Sequence, residues 1–110
     1  MNEQKVFKLL SNFVSQRDWG QFHSRQNLAK SIAIEAGELL ENFQWDDTPP
    51  IDRVIDELAD VLTYCYLLCM DLEVNPNEIV KTKLEITDKK YPKISSRGSS
   101  KKYDELNQGE

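Results

Sequence analysis

The chain has 110 residues and a net charge of −5, with 39% hydrophobic and 30% charged side chains. That is an ordinary soluble balance for one small domain. No basic stripe interleaved with aromatics is present, so a nucleic-acid polymer is excluded as a partner. Chains of this length bury somewhat under roughly 70% of their unfolded surface, so a subunit interface would add useful burial.

The first predicted helix runs from about Glu3 to Gln16, with Val6, Leu9, Leu10, Phe13 and Val14 at amphipathic spacing. Asp18-Trp19-Gly20 interrupts it. The second begins near Ser24 and continues to about Gln44, with Leu28, Ile32, Leu39, Leu40 and Phe43 on its apolar side. Asp46-Asp47-Thr48-Pro49-Pro50 then gives a connector and a start signal, Thr48 as cap and Pro49 at the first helical position. The third helix is expected over Pro49 to Leu72.

Asn75-Pro76-Asn77-Glu78 starts the fourth, with Asn75 as cap and Glu78 reaching back, and Pro92 stops it beyond Lys90. From residue 93 the composition turns small and polar, through Ser95-Ser96-Arg97-Gly98-Ser99-Ser100. The expected organisation is a helical domain over 1–92 and a mobile polar tail over 93–110. No segment alternates like a strand, so the fold expected is an all-α bundle of four helices.

Cys65 and Cys69 lie four apart in an apolar run, on one helical face, and read as buried free thiols. A disulfide at that spacing on a regular helix is geometrically unfavourable. No charged-then-apolar leader opens the chain, and no apolar run reaches the roughly 18 residues of a membrane span. A cytoplasmic location without membrane attachment is expected.

Two patterns carry chemistry: Glu35-Ala36-Gly37-Glu38 and Glu57-Leu58-Ala59-Asp60. Acids three apart sit about 60° apart around a helix and one turn apart along it, so each pair addresses one small volume. A lone pair of this kind usually marks a solvated face. Here Val54, Ile55, Leu58, Val61, Leu62, Tyr66, Leu68, Cys69 and Leu72 cover more than half of the third helix, which implies that protein surrounds it. Acids in such a setting need a partner or a metal.

If the second and third helices are antiparallel neighbours, Glu35, Glu38, Glu57 and Asp60 enclose a cation site. Oxygen ligands without a nearby thiolate favour a hard ion, Mg²⁺ or Mn²⁺. A di-iron bundle would call for Glu-x-x-His pairs, and the single histidine, His23, completes none. Trp19, Phe22 and His23 precede the second helix and Trp45 follows it. Phe22 reads as a bundle cap; the two tryptophans either cap the bundle ends or form a slot for a flat ring, with His23 as its polar partner. Lys81, Lys83, Lys89 and Lys90 form a solvated face or, in part, neutralise phosphates.

The ordered set Arg17-Asp18-Trp19-Gly20-Gln21-Phe22-His23, Glu35-Ala36-Gly37-Glu38-Leu39, Phe43-Gln44-Trp45, Asp56-Glu57-Leu58-Ala59-Asp60-Val61-Leu62-Thr63-Tyr64 and Lys90-Tyr91-Pro92 resembles the MazG-like nucleotide pyrophosphohydrolases of the all-α NTP pyrophosphatase superfamily, and within them the dCTP pyrophosphatase branch. The resemblance implies Mg²⁺-dependent hydrolysis of a (deoxy)nucleoside triphosphate to its monophosphate and pyrophosphate. It implies Glu35, Glu38, Glu57 and Asp60 as metal ligands and catalytic centre. It implies Trp19 to His23, Trp45 and Tyr64 as substrate pocket, Lys83 as a phosphate contact, and a homodimer or homotetramer with pockets near subunit contacts. Many members carry two adjacent acids at the first motif; here Ile34 precedes Glu35, which removes one candidate for a further ligand or base. The competing readings are a non-enzymatic oligomeric helical module and an all-α diphosphatase acting on dUTP or a modified nucleotide.

Overall fold

The structure, a computed structural model, describes residues 1–100. It is helical throughout its regular elements: α1 (Glu3–Gln16), a single 3-10 turn (Gly20–Phe22), α2 (Arg25–Glu41), α3 (Ile51–Asp71), α4 (Pro76–Lys90) and a one-turn α5 (Lys93–Ser96). The four long helices are the four expected ones. The chain divides into two compact units, Met1–Pro76 and a second from Asn77 onward.

In the first unit α2 packs along α3, and α1 leans on the same helix. The run of α2 against α3 is antiparallel. Arg25 at the start of α2 pairs with Asp71 at the end of α3 at 2.6 Å, while Glu35 further along α2 meets Glu57 and Asp60 nearer the start of α3. α1 is antiparallel to α3 as well: Phe7 meets Tyr66 edge-on at 5.5 Å, and Glu3 accepts from the Asn75 side-chain amide at 2.9 Å.

Local chemistry sets the ends. Asn2 and Ser24 cap α1 and α2, their side-chain oxygens accepting from the backbone N–H of Lys5 and Asn27. Asp18 stops α1 in the left-handed region at φ 51°, where aspartate is among the tolerated residues. α2 ends at Glu41, three residues short of the expected Gln44. Asn42 caps it and its side-chain amide donates to the carbonyl of Glu38, after which the N–H groups of Phe43 and Gln44 close tighter turns on Leu40 and Glu41.

The start of α3 also differs from expectation. Helix begins at Ile51 with Pro50 as its capping residue, and Thr48 instead directs its N–H to Asp46 at 2.9 Å. The reason is steric. A residue before proline is pushed out of the helical region, so Pro49, followed by Pro50, is disfavoured as the first helical residue.

The core of the described residues is small. Leu28 (2% exposed) and Cys69 are its only fully buried members among the strongly apolar types. Cys65 and Cys69 are free thiols, and burial pushes the Cys69 thiol up from its ordinary value, with Cys65 adding to the shift.

The second unit begins with α4, whose Val80, Leu84 and Thr87 line one shallow cavity of the unit together with Tyr91 just beyond the helix. α5 falls within the stretch expected to be tail; the remainder of that stretch, 101–110, lies outside the described residues.

Candidate metal centre and adjoining cavity

The antiparallel α2–α3 pair brings carboxylates together from both helices. One oxygen each of Glu35, Glu57 and Asp60 lies within 4.8 Å of the others. One turn on from Glu35, Glu38 sits at the exposed edge of this cluster. Its carboxyl and charge act on Glu35, and its charge is felt at Glu57. Three of the four expected acids therefore converge directly and the fourth flanks them.

Electrostatics make this an unfavourable place for bare acids. Burial, then the side-chain interaction with the Glu38 carboxyl, then the charges of Glu38, Asp60 and Glu57 raise the Glu35 pKa above its ordinary value. Glu57 is raised by burial and by the charges of Glu38, Asp60, Asp56 and Glu41. No lysine or arginine forms an ion pair with any of the four among the described residues. Oxygen Oε2 of Glu35 is buried without a hydrogen-bond partner. An acceptor left this way costs stability unless something positive meets it. The donor set, all carboxylate oxygen, fits a hard divalent cation.

A cavity of about 280 Å³ adjoins the cluster, with Glu35 and Asp60 in its wall. Trp19, His23 and Tyr64, three of the residues expected to contact substrate, line it, and α1 contributes Leu10, Phe13 and Val14 beside Thr63 and Leu67 of α3. Its aromatic corner is braced. Phe13 and Trp19 meet edge-on at 5.6 Å, and the Arg17 guanidinium lies 3.7 Å over the Phe13 ring while donating to the Phe13 carbonyl. The backbone N–H of Trp19 closes back on Val14.

One expected residue of the first unit stands elsewhere, and another belongs to the second unit. Trp45 lies on the loop after α2, 90% exposed, outside the lining of this cavity. Lys83 is exposed on α4, in the second unit. In the other direction, Leu10, Phe13, Val14 and Leu67 carried no functional signal, because apolar residues at helical spacing look the same whether they line a core or a cavity; Thr63 stood inside a quoted motif but was assigned no role. The Phe13–Trp19 proximity was foreseeable only from the short Arg17-Asp18 break between them.

The MazG-like family model matches residues 30–106. Among characterised proteins, dCTP pyrophosphatase 1 of Mus musculus is 37% identical over 116 aligned positions, covering 96% of this chain and 68% of that protein. The Homo sapiens dCTP pyrophosphatase 1 has the same identity and coverage. The chain belongs to the MazG-like nucleotide pyrophosphohydrolases. A MazG-like fold is also what the solved structures give: a pyrophosphatase from Archaeoglobus fulgidus superposes with a TM-score of 0.73 at 41% identity, over 81% of this chain and 91% of that one. Both acid motifs fall inside the matched region, as do Trp45 and Tyr64, whereas Trp19 and His23 precede the family model's match.

Proposed function

We propose that this MazG-like chain hydrolyses deoxynucleoside triphosphates, dCTP-like ones preferentially, to the monophosphate and pyrophosphate. The observation that carries the reading is the convergence of Glu35, Glu57 and Asp60 in the wall of a cavity that Trp19, His23 and Tyr64 also line. The mammalian relatives are dCTP pyrophosphatases, which supports the base preference. With Glu38 beside them, the three acids would hold Mg²⁺, with Mn²⁺ as a substitute. When bound, it supplies positive charge for the phosphate oxygens and lowers the pKa of water.

The chain's own residues supply the rest. The braced Phe13–Trp19 corner offers an aromatic face to the base, and Tyr64 and His23 offer polar groups beside it. That fixes the nucleoside so that its phosphates reach the acids, using binding energy remote from the reacting bond. A carboxylate at the edge of the cluster, Glu38 or Glu41, takes a proton from the attacking water. The water oxygen bonds to the α-phosphorus, the bridge to the β-phosphate breaks, and pyrophosphate leaves. Lys83 is assigned to the phosphates by family likeness alone.

Incubation with each dNTP, dUTP and Mg²⁺, followed by pyrophosphate detection, tests the reaction. Release of inorganic phosphate without pyrophosphate, or no product from any substrate, would overturn it.

We further propose a homodimer or homotetramer. Ile51, Ile55, Leu58 and Leu62 recur along α3 at a four-then-three spacing and are all exposed within one chain, the pattern of a helix seam lacking its partner. No helix among the described residues is long and apolar enough to cross a membrane. The free thiols suit a reducing compartment, the cytoplasm.

A further inference from the structure

Thr63 lines the cavity one turn beyond Asp60 on α3. Its hydroxyl donates to the carbonyl of Ala59 at 2.8 Å. A hydroxyl has one proton and two lone pairs, so with the proton committed Thr63 can only accept. Tyr64 and His23, its polar neighbours in the cavity wall, can both donate and accept. Leu10, Val14 and Leu67 supply the apolar part of the wall beside it, and Glu35 and Asp60 its acidic end. Such a group discriminates: it rewards a ligand that brings a donor to this height and penalises one that brings an acceptor or nothing.

Helix geometry says which part of a nucleotide that is. Thr63 stands about 4.5 Å along α3 from Asp60, and Leu67 about 10.5 Å. With the phosphates at Asp60, the sugar lies at the height of Thr63, and the base lies further on, toward Leu67 and the Phe13–Trp19 corner. On a deoxyribose the one hydroxyl donor is at the 3′ position.

Resting on the pyrophosphohydrolase reading above, we propose that Thr63 is a sugar-contacting specificity residue whose hydroxyl oxygen accepts a hydrogen bond from the substrate's 3′-hydroxyl. The enzyme therefore distinguishes 2′-deoxy from 2′,3′-dideoxy triphosphates. A neutral hydrogen bond of this kind corresponds to roughly three- to tenfold in kcat/KM.

The experiment compares dCTP with ddCTP, and CTP with dCTP, in the wild-type protein and in Thr63→Val, Thr63→Ala and Thr63→Ser, with circular dichroism confirming that each variant is helical. If dCTP proves a poor substrate, the dNTP hydrolysed fastest and its dideoxy counterpart take its place. Valine keeps the volume and alanine guards against a packing artefact of the added methyl. Support is a wild-type dCTP-to-ddCTP ratio of about three to ten that falls toward one in the valine and alanine variants and survives in serine. A ratio that is already one, or that both hydroxyl-free variants leave intact, overturns the assignment. So does a change confined to the CTP-to-dCTP ratio, which would give Thr63 to the 2′ position. Absence of turnover of every triphosphate by the wild-type protein removes the underlying reading as well, whereas turnover with an unaltered ratio removes only this contact.

Discussion

Adjacent residues Glu57 and Leu58 on α3 point out two regions with inverted patterning. On one side of the helix Glu57 is half-buried and its pKa is pushed up by burial and by neighbouring carboxylates. Alongside, Ile55 is 58% and Leu58 43% exposed. A protein stable for its own sake as a single chain would place these the other way round. On the proposed reading, a divalent cation completes the acid side and a second copy of the chain covers the exposed aliphatics, so each region would be relieved by a different class of partner.

The largest expected effect comes from breaking the acid side. Asp60→Asn or Glu57→Gln should reduce pyrophosphate release by about a thousandfold or more, since charge stabilisation of phosphate by a divalent ion is worth several kcal/mol. Circular dichroism should stay helical. Retained turnover in either variant would place the centre elsewhere.

Breaking the aliphatic side comes next. The double change Ile55→Asp, Leu58→Glu puts charge in the seam and should convert the assembly to monomer in light scattering, with activity at low protein concentration falling about tenfold or more. An unchanged mass would mean that another surface holds the copies together.

The metal-free acid side should also carry a pH signature. The folded-state pKa values of Glu35 and Glu57 are raised, so the native chain binds more protons than the unfolded chain once pH climbs out of the ordinary carboxylate range. Stability attributable to these groups therefore falls as pH rises from there through the raised folded values. Thermal melts of metal-free protein should show Tm declining across that interval, with Mg²⁺ restoring it more at about pH 8 than at about pH 5. Glu57→Gln should blunt both trends. A Mg²⁺ response independent of pH would argue against these carboxylates as the ligands.

The smallest effect sharpens the cavity. Trp19→Ala should raise KM about five- to twentyfold, in line with the loss of one stacked aromatic, and should do so more than Trp45→Ala, whose ring lies outside the cavity of the single chain. Equal effects would mean that Trp45 reaches the nucleotide from another copy.

Much of this was legible in the residues. Acids three apart on helical segments must share a side, which follows from the roughly 3.6-residue repeat; the shelter expected from the apolar excess holds for half-buried Glu57 and not for exposed Asp60. The start of α3 was misread: Thr48 was expected as cap and Pro49 as first helical residue, whereas helix begins at Ile51 because Pro50 disfavours helix at Pro49. What periodicity could not reveal was that Leu10, Phe13 and Val14 look into a cavity instead of a core, because both demand apolar side chains at the same spacing. Nor could it say that Trp45 stands apart from Trp19.

The residue order alone determined the helices, their chemistry-bearing faces and the family, since these depend on interactions within a few residues or on matching motifs. Only the tertiary arrangement decided which faces meet. Antiparallel packing of α2 on α3 set Glu35 against Glu57 and Asp60, and α1 closed the cavity beside them. Distances between helices depend on how whole surfaces pack, and no local pattern encodes that.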